Sequence, residues 1–400
     1  MASGLISLEE ALGRLLEQAA ASPLVETDTV ALGDADGRVL AEDVAAVLDL
    51  PPWDNSAMDG YAVRVADIAN MPLPVSQRIM AGSAPRPLEP GTCARIFTGA
   101  PIPAGAEAVE MQENCVEDAD GRVRFLQSIR PRQNIRPQGQ ETRTGDRVLD
   151  AGARLGPVEI GLAASLGIAS LTVRKRPRVA VLSTGDELIE PGAPLGAGQI
   201  YNSNRHLLAA WLKRLGCEVI DAGILPDDLD QTRKALAALG HADLILSTGG
   251  VSVGEADFLG LALREAGELA FWKLAIKPGK PLTCGHYKGT PVIGLPGNPA
   301  STLVTFGLLA RPYLLRRLGC LRVDPLAIEM PAGFDWPKAG GRREFLRARL
   351  KDGQAVPYEN QSSGVLLSAS WADGLAEIHE GTAPRSGDLI RFIPFSELMN

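Results

Sequence analysis

The chain has 400 residues, of which 45% are hydrophobic and 22% are charged, a composition typical of a soluble globular protein with about two to four domains. Its net charge of -8 and sequence pI near 5.3 give it no general electrostatic attraction for nucleic acid. Because no apolar stretch approaches about 18 residues and acids lie near the N-terminus, we expect neither a membrane segment nor a signal peptide.

Five cysteines are scattered along the chain without CxxC spacing: Cys93, Cys115, Cys217, Cys284 and Cys320. This pattern favours free thiols in a reducing compartment over a disulfide framework or a zinc site. We therefore expect a cytoplasmic protein that binds neither nucleic acid nor a membrane.

The N-terminal third predicts one helix followed mainly by β structure. The helix is predicted over residues 7–20, where Ser7 and Glu10 form a capping box. Short β-like runs continue to about residue 48 and lead into a turn-rich segment, PPWDNSAMDGYAV. Residues 71–135 form a compact β unit that we interpret as an insertion, with candidate strands VSQRIM, CARIFTG, AEAVEMQE and RVRFLQS.

After a predicted helix at 158–166 the chain alternates between strands and helices. The predicted strands are 178–183, 218–221, 243–247 and 292–295, and the predicted helices are 204–215, 229–239, 257–266 and 300–318. Right-handed crossovers make this alternation a doubly wound, largely parallel sheet. Past residue 324 a small antiparallel barrel or sandwich is predicted, from the segments REFLRARL, QAVPY, GVLLSAS, GLAEIHE and DLIRFIP.

Three strands of the predicted sheet run into loops rich in glycine, proline and polar residues: PRVAVLSTGDEL, ADLILSTGGVSVGEAD and PVIGLPGNPAST. Because the carboxyl ends of parallel strands meet at one edge, we expect these loops to converge on a crevice where backbone N–H groups hold phosphates. The sequence therefore predicts a site for a nucleotide or a phosphorylated cofactor. Its candidate substrate-binding residues are Thr184, Gly185, Gly249, Gly250, Ser252, Gly254, Pro296, Gly297 and Asn298.

Some of these loop residues also have ordinary structural interpretations. Asp186 and Glu187 follow a strand where an acid often caps a helix or faces its dipole. Asn298 is either a turn residue or a group that points its amide at a ring, and Ser301 is a candidate cap of the next helix.

Three lysines lie in the segment FWKLAIKPGKP. Lys273 and Lys277 are predicted to share one face of a strand, and Lys280 follows a Pro-Gly turn. A single lysine is usually a solvated surface group, but three beside a glycine-rich loop favour the binding of phosphates or of an oxyanion such as molybdate or sulfate.

Carboxylates follow the predicted strands at Glu187, Asp227 and Asp257. Such a set suits magnesium, which takes one or two carboxylates together with water and substrate phosphates. The four histidines share no spacing that predicts a zinc cage, and no serine or cysteine has a recognisable base for a nucleophile triad.

Seven motifs occur in a fixed order along the chain: PPWDNSAMDGYAV, IFTGAPIPAGAEAVEMQE, STGDEL, NSN, GGVSVGEAD, FWKLAIKPGKP and LPGNPAS. In this order they closely resemble the molybdopterin molybdotransferase family, the bacterial molybdenum-insertion enzymes related to the E domain of gephyrin. The resemblance covers nearly the whole chain and spans separate predicted domains.

The resemblance implies an α/β multi-domain fold with four domains. A small split α+β domain would comprise residues 1–44 and 141–176, and a β-rich insertion domain would comprise residues 45–140. A central, doubly wound α/β domain of the molybdopterin-binding type would comprise residues 177–325, and a C-terminal β-barrel residues 326–400. The family's elongated homodimer would form its active site between the α/β domain of one subunit and the insertion domain of the other.

The implied reaction transfers molybdenum from molybdate to adenylylated molybdopterin (molybdopterin-AMP), with release of AMP and with Mg²⁺ as the divalent cation. Molybdenum is then held by the dithiolene sulfurs. The implied partners are an upstream molybdopterin adenylyltransferase, which supplies the substrate, and molybdoenzyme apoproteins or carriers downstream.

The same resemblance implies roles for individual residues. The catalytic residues would be Asp59, Thr98, Glu187, Asp227, Asp257, Lys273, Lys277 and Lys280, with the three acids Glu187, Asp227 and Asp257 as metal ligands. Arg342 and Ser363 would bind substrate, with Arg347 a rival for the arginine role. The family's Gly-Glu-Asp run is replaced here by Gly139-Gln140-Glu141, so Glu141 would keep the site carboxylate on a side chain one methylene longer.

Two other functions compete with this interpretation. An adenylyltransferase that activates molybdopterin has a similar α/β domain, but it is a short single-domain protein. A non-enzymatic scaffold, as gephyrin's synaptic role suggests, would use the dimer to dock a partner's peptide. The acids and lysines favour catalysis.

Overall fold

The computed structural model describes residues 4–250, 258–266 and 269–399. Within those ranges three six-stranded sheets follow one another along the chain. Four two-stranded sheets are also present in the described residues. No helix in the same ranges is long and apolar enough to cross a membrane.

The first segment contains α1 (Leu8–Ala21), β1 (Thr27–Ala31) and β2 (Val44–Ala45). The hydroxyl of Ser7 caps α1 by accepting a hydrogen bond from the Glu10 N–H (3.1 Å), which confirms that part of the predicted capping box. The Glu10 carboxylate accepts a bond from Arg14 instead of turning back to the cap.

The insertion consists of short strands: β3 (Asn55–Ser56), β4 (Gly60–Val63), β5 (Leu73–Ile79), β6 (Cys93–Ile96), β7 (Ala108–Met111), β8 (Cys115–Glu117), β9 (Arg122–Phe125) and β10 (Ile135–Arg136). Six of them form one sheet in the order β7-β4-β6-β5-β9-β8, and β10 pairs with β3. The four strands predicted for this segment correspond to β5, β6, β7 and β9.

The chain then returns to its first segment through β11 (Arg147–Leu149), α2 (Pro157–Ser165) and β12 (Ser170–Arg174). β11 pairs with β2, and β12 pairs antiparallel with β1. The chain thus leaves for the insertion after β2 and returns through β11, and the pairs β2–β11 and β1–β12 bring the two parts of the first segment together. The bounds of the four predicted domains stay a prediction.

The central unit alternates strands and helices: β13 (Arg178–Thr184), β14 (Leu188–Ile189), β15 (Ile200–Tyr201), α3 (Ser203–Arg214), β16 (Glu218–Leu225), α4 (Leu229–Ala238), β17 (Leu244–Thr248), α5 (Phe258–Glu265), β18 (Leu269–Lys273), β19 (Ile276–Lys277), β20 (Pro281–Tyr287), β21 (Thr290–Leu295), α6 (Pro299–Thr305) and α7 (Arg311–Arg317). One π turn at 306–310 joins α6 to α7. Its sheet has the order β16-β13-β17-β21-β20-β18. The first four strands are parallel and the last two form an antiparallel edge, which confirms the predicted doubly wound sheet.

Alternate residues of the central strands bury themselves on opposite faces of this sheet. Val179 and Val181 of β13 join a core with α1, α3, α6 and α7, whereas Ala180 and Leu182 join a core with α4 and α5. Since both faces are covered by helices, the strands read as nearly continuous apolar runs. This burial fixes the register of the loops at the carboxyl ends of the strands.

The last segment contains β22 (Ile328–Pro331), β23 (Arg343–Lys351), β24 (Gln354–Pro357), α8 (Leu367–Trp371), β25 (Gly374–Ile378), β26 (Leu389–Pro394) and α9 (Phe395–Met399). The strands run in the order β24-β23-β25-β26-β22, and a bridge between Ala332 and Ala355 brings the two ends together. The segment is therefore a barrel, which was one of the two predicted alternatives, a barrel or a sandwich.

Two local predictions were wrong. The segment GVLLSAS is not a strand, because Ser368 Oγ donates to Val365 O (2.5 Å) and Ala369 N–H donates to Leu366 O (2.9 Å), which winds it into α8. Lys273 and Lys277 do not share a strand either. β18 ends at Lys273, and β19 leaves the central sheet to pair in parallel with Arg343–Glu344 of the barrel.

Candidate functional site

A cavity opens where the central sheet meets the barrel. It has a volume of about 770 Å³, and its walls come from the ends of β17, β18, β19 and β21 and from two barrel loops. Its lining residues are Gly249, Gly250, Lys273, Lys277, Pro278, Gly279, Lys280, Pro281, Pro296, Gly297, Asn298, Ser301, Arg342, Gln361, Ser362 and Ser363. We name it the cation cavity.

A second cavity of about 500 Å³ lies beside the first, over the end of β13 and the start of α3. It is lined by Thr184, Glu187, Leu188, Ile200, Tyr201, Asn202, Ser203, Asn204, Thr248, Gly249, Gly297, Asn298, Pro299 and Gly364. We name it the amide cavity. Gly249, Gly297 and Asn298 line both cavities, so the two lie side by side at the carboxyl ends of the parallel strands, and we refer to them together as the crevice.

The floor between the cavities needs glycine at two positions. Gly249 and Gly250 have φ angles of 85° and 63°, in the region that side chains disfavour. A Cβ on Gly249 would lie 2.6 Å from Thr184 O, and one on Gly250 would lie 2.7 Å from Thr184 Oγ1. The pair therefore brings its backbone against β13 and leaves the space above it for a ligand.

Four cationic side chains line the cation cavity: Lys273, Lys277, Lys280 and Arg342. Lys277 Nζ lies 2.9 Å from Glu344 Oε2, and this carboxylate comes from the barrel strand that pairs with β19. Within the described part of the chain the other three form no ion pair, so they present their charges to the cavity. The predicted lysines are therefore brought together, although by two strands and a turn and not by one strand.

The two candidate arginines have different places. Arg342 lines the cation cavity, whereas Arg347 is fully buried beneath it. Arg347 Nε donates to Ser368 Oγ (2.9 Å) and one of its terminal nitrogens donates to Ser362 O (3.1 Å). Burial lowers the pKa of Arg347 to about 10. Arg342 is therefore placed to contact a ligand in the cation cavity, whereas Arg347 stabilises the loop that carries Ser363.

Ser363, Asn298 and Ser301 meet where that loop contacts α6. The Ala300 N–H donates to Ser363 O (2.9 Å), so the barrel loop is fastened to the first turn of the helix. Asn298 occupies the N-cap position without a side-chain cap bond, which leaves its amide at the junction of the two cavities. The prediction that Ser301 caps this helix was wrong, because α6 begins at Pro299 and Ser301 lies inside it, facing the cation cavity.

Acidic residues gather at the ends of β13 and β16. The Asp227 N–H donates to Asp186 Oδ1 at 3.1 Å, and Glu187 follows on the same loop and lines the amide cavity. Burial raises the pKa of Asp227, and the negative charges of Asp186 and Glu187 raise it further. The repelling carboxylates are hard oxygen donors of the kind that Mg²⁺ takes, so Glu187 and Asp227 fit the predicted ion.

The structure does not describe three of the predicted site residues. Asp257, Ser252 and Gly254 fall outside the described residues. Among the residues that the structure does describe, no group of three or more His, Cys, Asp or Glu side chains is arranged to hold a metal ion. All five cysteines lie in described ranges and are free thiols, as predicted.

Three predicted site residues from the N-terminal half of the chain do not line the crevice. Both the backbone N–H and the hydroxyl of Thr98 donate to Asp59 Oδ1, each at 2.8 Å. These two bonds, the backbone one first, lower the pKa of Asp59. Glu141 is exposed beside β11, and its N–H donates to Leu50 O (2.9 Å). Asp59, Thr98 and Glu141 line neither cavity.

Sequence reasoning missed several residues that line the crevice. Ser301, Gln361 and Ser362 line the cation cavity, and Asn202 and Asn204 line the amide cavity. The NSN triplet at 202–204 is a signal for the two asparagines, but its pattern assigns them no role. The loop residues Gln361 and Ser362 have no sequence signal beyond their neighbour Ser363.

Comparisons with known proteins cover the whole of this architecture. Residues 6–167 match the MoeA N-terminal region (domain I and II), residues 180–316 match a probable molybdopterin binding domain, and residues 329–395 match the MoeA C-terminal region (domain IV). The chain is 43% identical over 364 residues to the molybdopterin molybdenumtransferase of Haemophilus influenzae, with 90% of each chain covered. The chain belongs to the molybdopterin molybdenumtransferase family.

Other relatives and solved structures agree with this membership. A molybdopterin molybdenumtransferase 2 of Mycobacterium tuberculosis is 40% identical over 375 residues, covering 88% of this chain and 91% of its own. The crystal structure of a molybdopterin biosynthesis MoeA protein from Pyrococcus horikoshii has a TM-score of 0.84 at 30% identity, covering 98% of this chain and 100% of that one. The resemblance and the multi-domain fold class inferred from the sequence of this molybdopterin molybdenumtransferase family member are confirmed.

Proposed function

We propose that the chain transfers molybdenum from molybdate to adenylylated molybdopterin, forming molybdenum cofactor and releasing AMP. The observation that carries the proposal is the cation cavity, where Lys273, Lys277, Lys280 and Arg342 lie beside two positive-φ glycines. The relatives named above, which are molybdopterin molybdenumtransferases, support the same activity.

Electrostatic repulsion is the main obstacle to this reaction. The substrate carries two phosphates and molybdate is a dianion, so both reactants are negatively charged and repel each other. Two such unit charges about 4 Å apart repel by about 4 kcal/mol at an effective dielectric of about 20. Fixed cationic side chains offset this cost without reorganising during the reaction.

The described residues divide the work by charge. Lys273, Lys277 and Arg342 bind the oxyanion and the phosphates, and Ser363 and Asn298 orient them from the loop and the α6 N-cap. Glu187 and Asp227 would hold a magnesium ion, which supplies charge neutralisation at the phosphoanhydride. These side chains follow strands that are buried in the sheet, which keeps their positions fixed. Few side chains therefore have to become ordered when the substrate binds.

Asp59 enters the proposal through a second subunit. Its lowered pKa keeps the carboxylate ionised, which suits a group that orients a water or a hydroxyl, whereas the same lowering makes it a weak base for deprotonation. Because Asp59 and Thr98 line neither cavity of their own chain, we assign them to the cleft of a partner in a homodimer. The substrate would come from a molybdopterin adenylyltransferase and the product would pass to molybdoenzyme apoproteins or carriers, all in the cytoplasm.

The test follows AMP release from adenylylated molybdopterin in the presence of molybdate and Mg²⁺. Lys277→Ala should keep the fold but reduce AMP release at least about a hundredfold, as expected for a group that stabilises transition-state charge. Lys338→Ala is the matched control, since Lys338 is exposed on the barrel and lines neither cavity. If the wild-type protein releases no AMP, the proposed activity is wrong and a binding role remains.

A further inference from the structure

The amide cavity contains three buried polar atoms that have no hydrogen-bond partner within the described structure. They are Thr184 Oγ1, Asn202 Nδ2 and Asn204 Oδ1. Their residues are 8%, 2% and 7% exposed, and all three line this one cavity. Native proteins leave few such atoms unsatisfied, so three around one space call for an explanation.

The orientation of each asparagine is fixed by its other side-chain atom. Asn202 Oδ1 accepts from the Arg205 N–H (3.3 Å) as the N-cap of α3, and Asn204 Nδ2 donates to Gly297 O (2.6 Å). Flipping Asn202 would set its amino group against an N–H donor, and flipping Asn204 would set two acceptors together. The unpartnered atoms are therefore a donor on Asn202 and an acceptor on Asn204.

Thr184 completes the set from the end of β13. Its hydroxyl lies under the Gly250 backbone, at the place where a side chain on that glycine would collide with it. A hydroxyl both donates and accepts, so the cavity offers one fixed donor, one fixed acceptor and one adaptable group. Leaving such groups unsatisfied destabilises the fold, and a bound ligand with matching groups removes that cost.

The presence of both a free donor and a free acceptor restricts the chemical class of the ligand. A phosphate or molybdate oxygen only accepts, so it would face the Asn204 Oδ1 acceptor unfavourably. An apolar group would leave all three atoms unsatisfied. A planar heterocycle with a donor and an acceptor on one edge has a partner for each asparagine; a single Asn or Gln amide reads the edge of adenine through the same donor–acceptor complementarity.

We propose that Thr184, Asn202 and Asn204 bind the edge of a heterocyclic ring, while the phosphates attached to it occupy the cation cavity. The inference rests on the proposed function, in which the substrate carries two such rings, a pterin and an adenine. The linings of the two cavities share Gly249, Gly297 and Asn298, so the cavities are neighbours and one elongated molecule would reach both. Thr184 and the two asparagines thus recognise the ring, and the lysines bind the negatively charged phosphates.

The test measures ring binding separately from turnover. AMP and 6-hydroxymethylpterin are titrated in separate calorimetric experiments into wild-type protein, Thr184→Val and Asn202→Asp. Thr184→Val removes the unpartnered hydroxyl without changing shape, and Asn202→Asp keeps the α3 cap but turns the free donor into an acceptor. The control is Thr290→Val, the same change at a buried hydroxyl that does have a partner, Gly240 O (3.3 Å), at the other end of the sheet.

We expect one of the two probes to bind the wild type and to lose about three- to tenfold in affinity in both crevice variants but not in the control. The probe that responds identifies the ring. We also expect Thr184→Val to keep or raise the Tm, whereas Thr290→Val lowers it, because only the control loses an internal bond.

Three results would overturn the assignment: no binding of either probe to the wild type, equal binding by wild type and crevice variants, or a fall in Tm for Thr184→Val that matches the control. AMP release by the wild-type enzyme is measured in parallel. Turnover with unaltered ring binding rejects the ring subsite alone, and absent turnover rejects the proposed function alone.

Discussion

Lys277 Nζ and Glu344 Oε2 lie 2.9 Å apart, and the pair connects β19 to the barrel strand β23 at the wall of the cation cavity. The Lys277 side chain is 50% exposed, whereas that of Glu344 is 11% exposed. The carboxylate is thus held in place by its surroundings, and the lysine head can exchange it for an incoming anion. Glu344 orients the lysine and also opposes the anion that the lysine binds.

Removing this negative charge should strengthen anion binding. In Glu344→Gln the amide oxygen still accepts from Lys277, but the repulsion between the carboxylate and molybdate is gone. We expect the KM for molybdate to fall about two- to fivefold at low ionic strength, with the difference shrinking as salt is added. Glu265→Gln is the control, because Glu265 also pairs with a cation, Arg233, but lines neither cavity. A higher KM in Glu344→Gln would show that orientation outweighs repulsion.

Arg347 should matter through the loop that it holds. Arg347→Met leaves Ser362 O and Ser368 Oγ without their buried donor, so we expect the free energy of unfolding to fall by about 1–3 kcal/mol. The KM for molybdate should rise as well, because the loop carries Ser363. Urea unfolding and steady-state kinetics measure the two effects. Arg349→Met, on the same strand but exposed, should change neither by much, and equal effects of both substitutions would contradict a specific role for Arg347.

Asp227 should make stability depend on pH and on magnesium. Its pKa is raised in the folded state, so the ionised carboxylate costs stability above that pKa, and the cost disappears as the pH falls through it. Without divalent cation, Asp227→Asn should therefore have a Tm about 1–3 °C higher than wild type at pH 7 and no advantage in acid. Mg²⁺ should raise the Tm of the wild type more than that of the variant. An equal rise in both proteins would remove Asp227 from the magnesium site.

An active site shared between subunits predicts complementation. Asp59→Asn and Lys277→Ala should each be inactive as homodimers, but mixing them with subunit exchange should restore about a quarter of the wild-type AMP release, because half of the dimers then contain one complete site. Lys277→Ala mixed with Arg342→Ala should restore none, since both residues line the same cavity of one chain. No recovery in the first mixture would place Asp59 outside the partner's cleft, and recovery in the second would mean that Lys277 and Arg342 do not serve the same site.

The central sheet was predictable because its strands are buried on both faces. Apolar runs such as 178–183 and 243–247 carry the signal of a covered parallel sheet, and the loops that follow must then meet at one edge. The glycine pair and Asn298 were therefore predictable as neighbours at that edge, with the lysine segment beside them.

What the sequence could not supply were features that depend on contacts between distant segments. The barrel strand at Arg343 draws Ile276–Lys277 out of the central sheet, and nothing in FWKLAIKPGKP marks that change of partner. The contact between Arg347 and Ser368 of α8 likewise joins two segments that are separate in the sequence. The unpartnered amide atoms of Asn202 and Asn204 are visible only once their neighbours are in place.

The division of the two lysines between β18 and β19 has a mechanical consequence. Lys273 belongs to the central sheet and Lys277 to the barrel sheet, and residues 274–275 cross between them. Any rotation of the barrel relative to the sheet therefore changes the gap between the two ammonium groups. That gap determines the size of the anion that both can contact, so the orientation of the barrel and the selection of the anion are coupled through two residues.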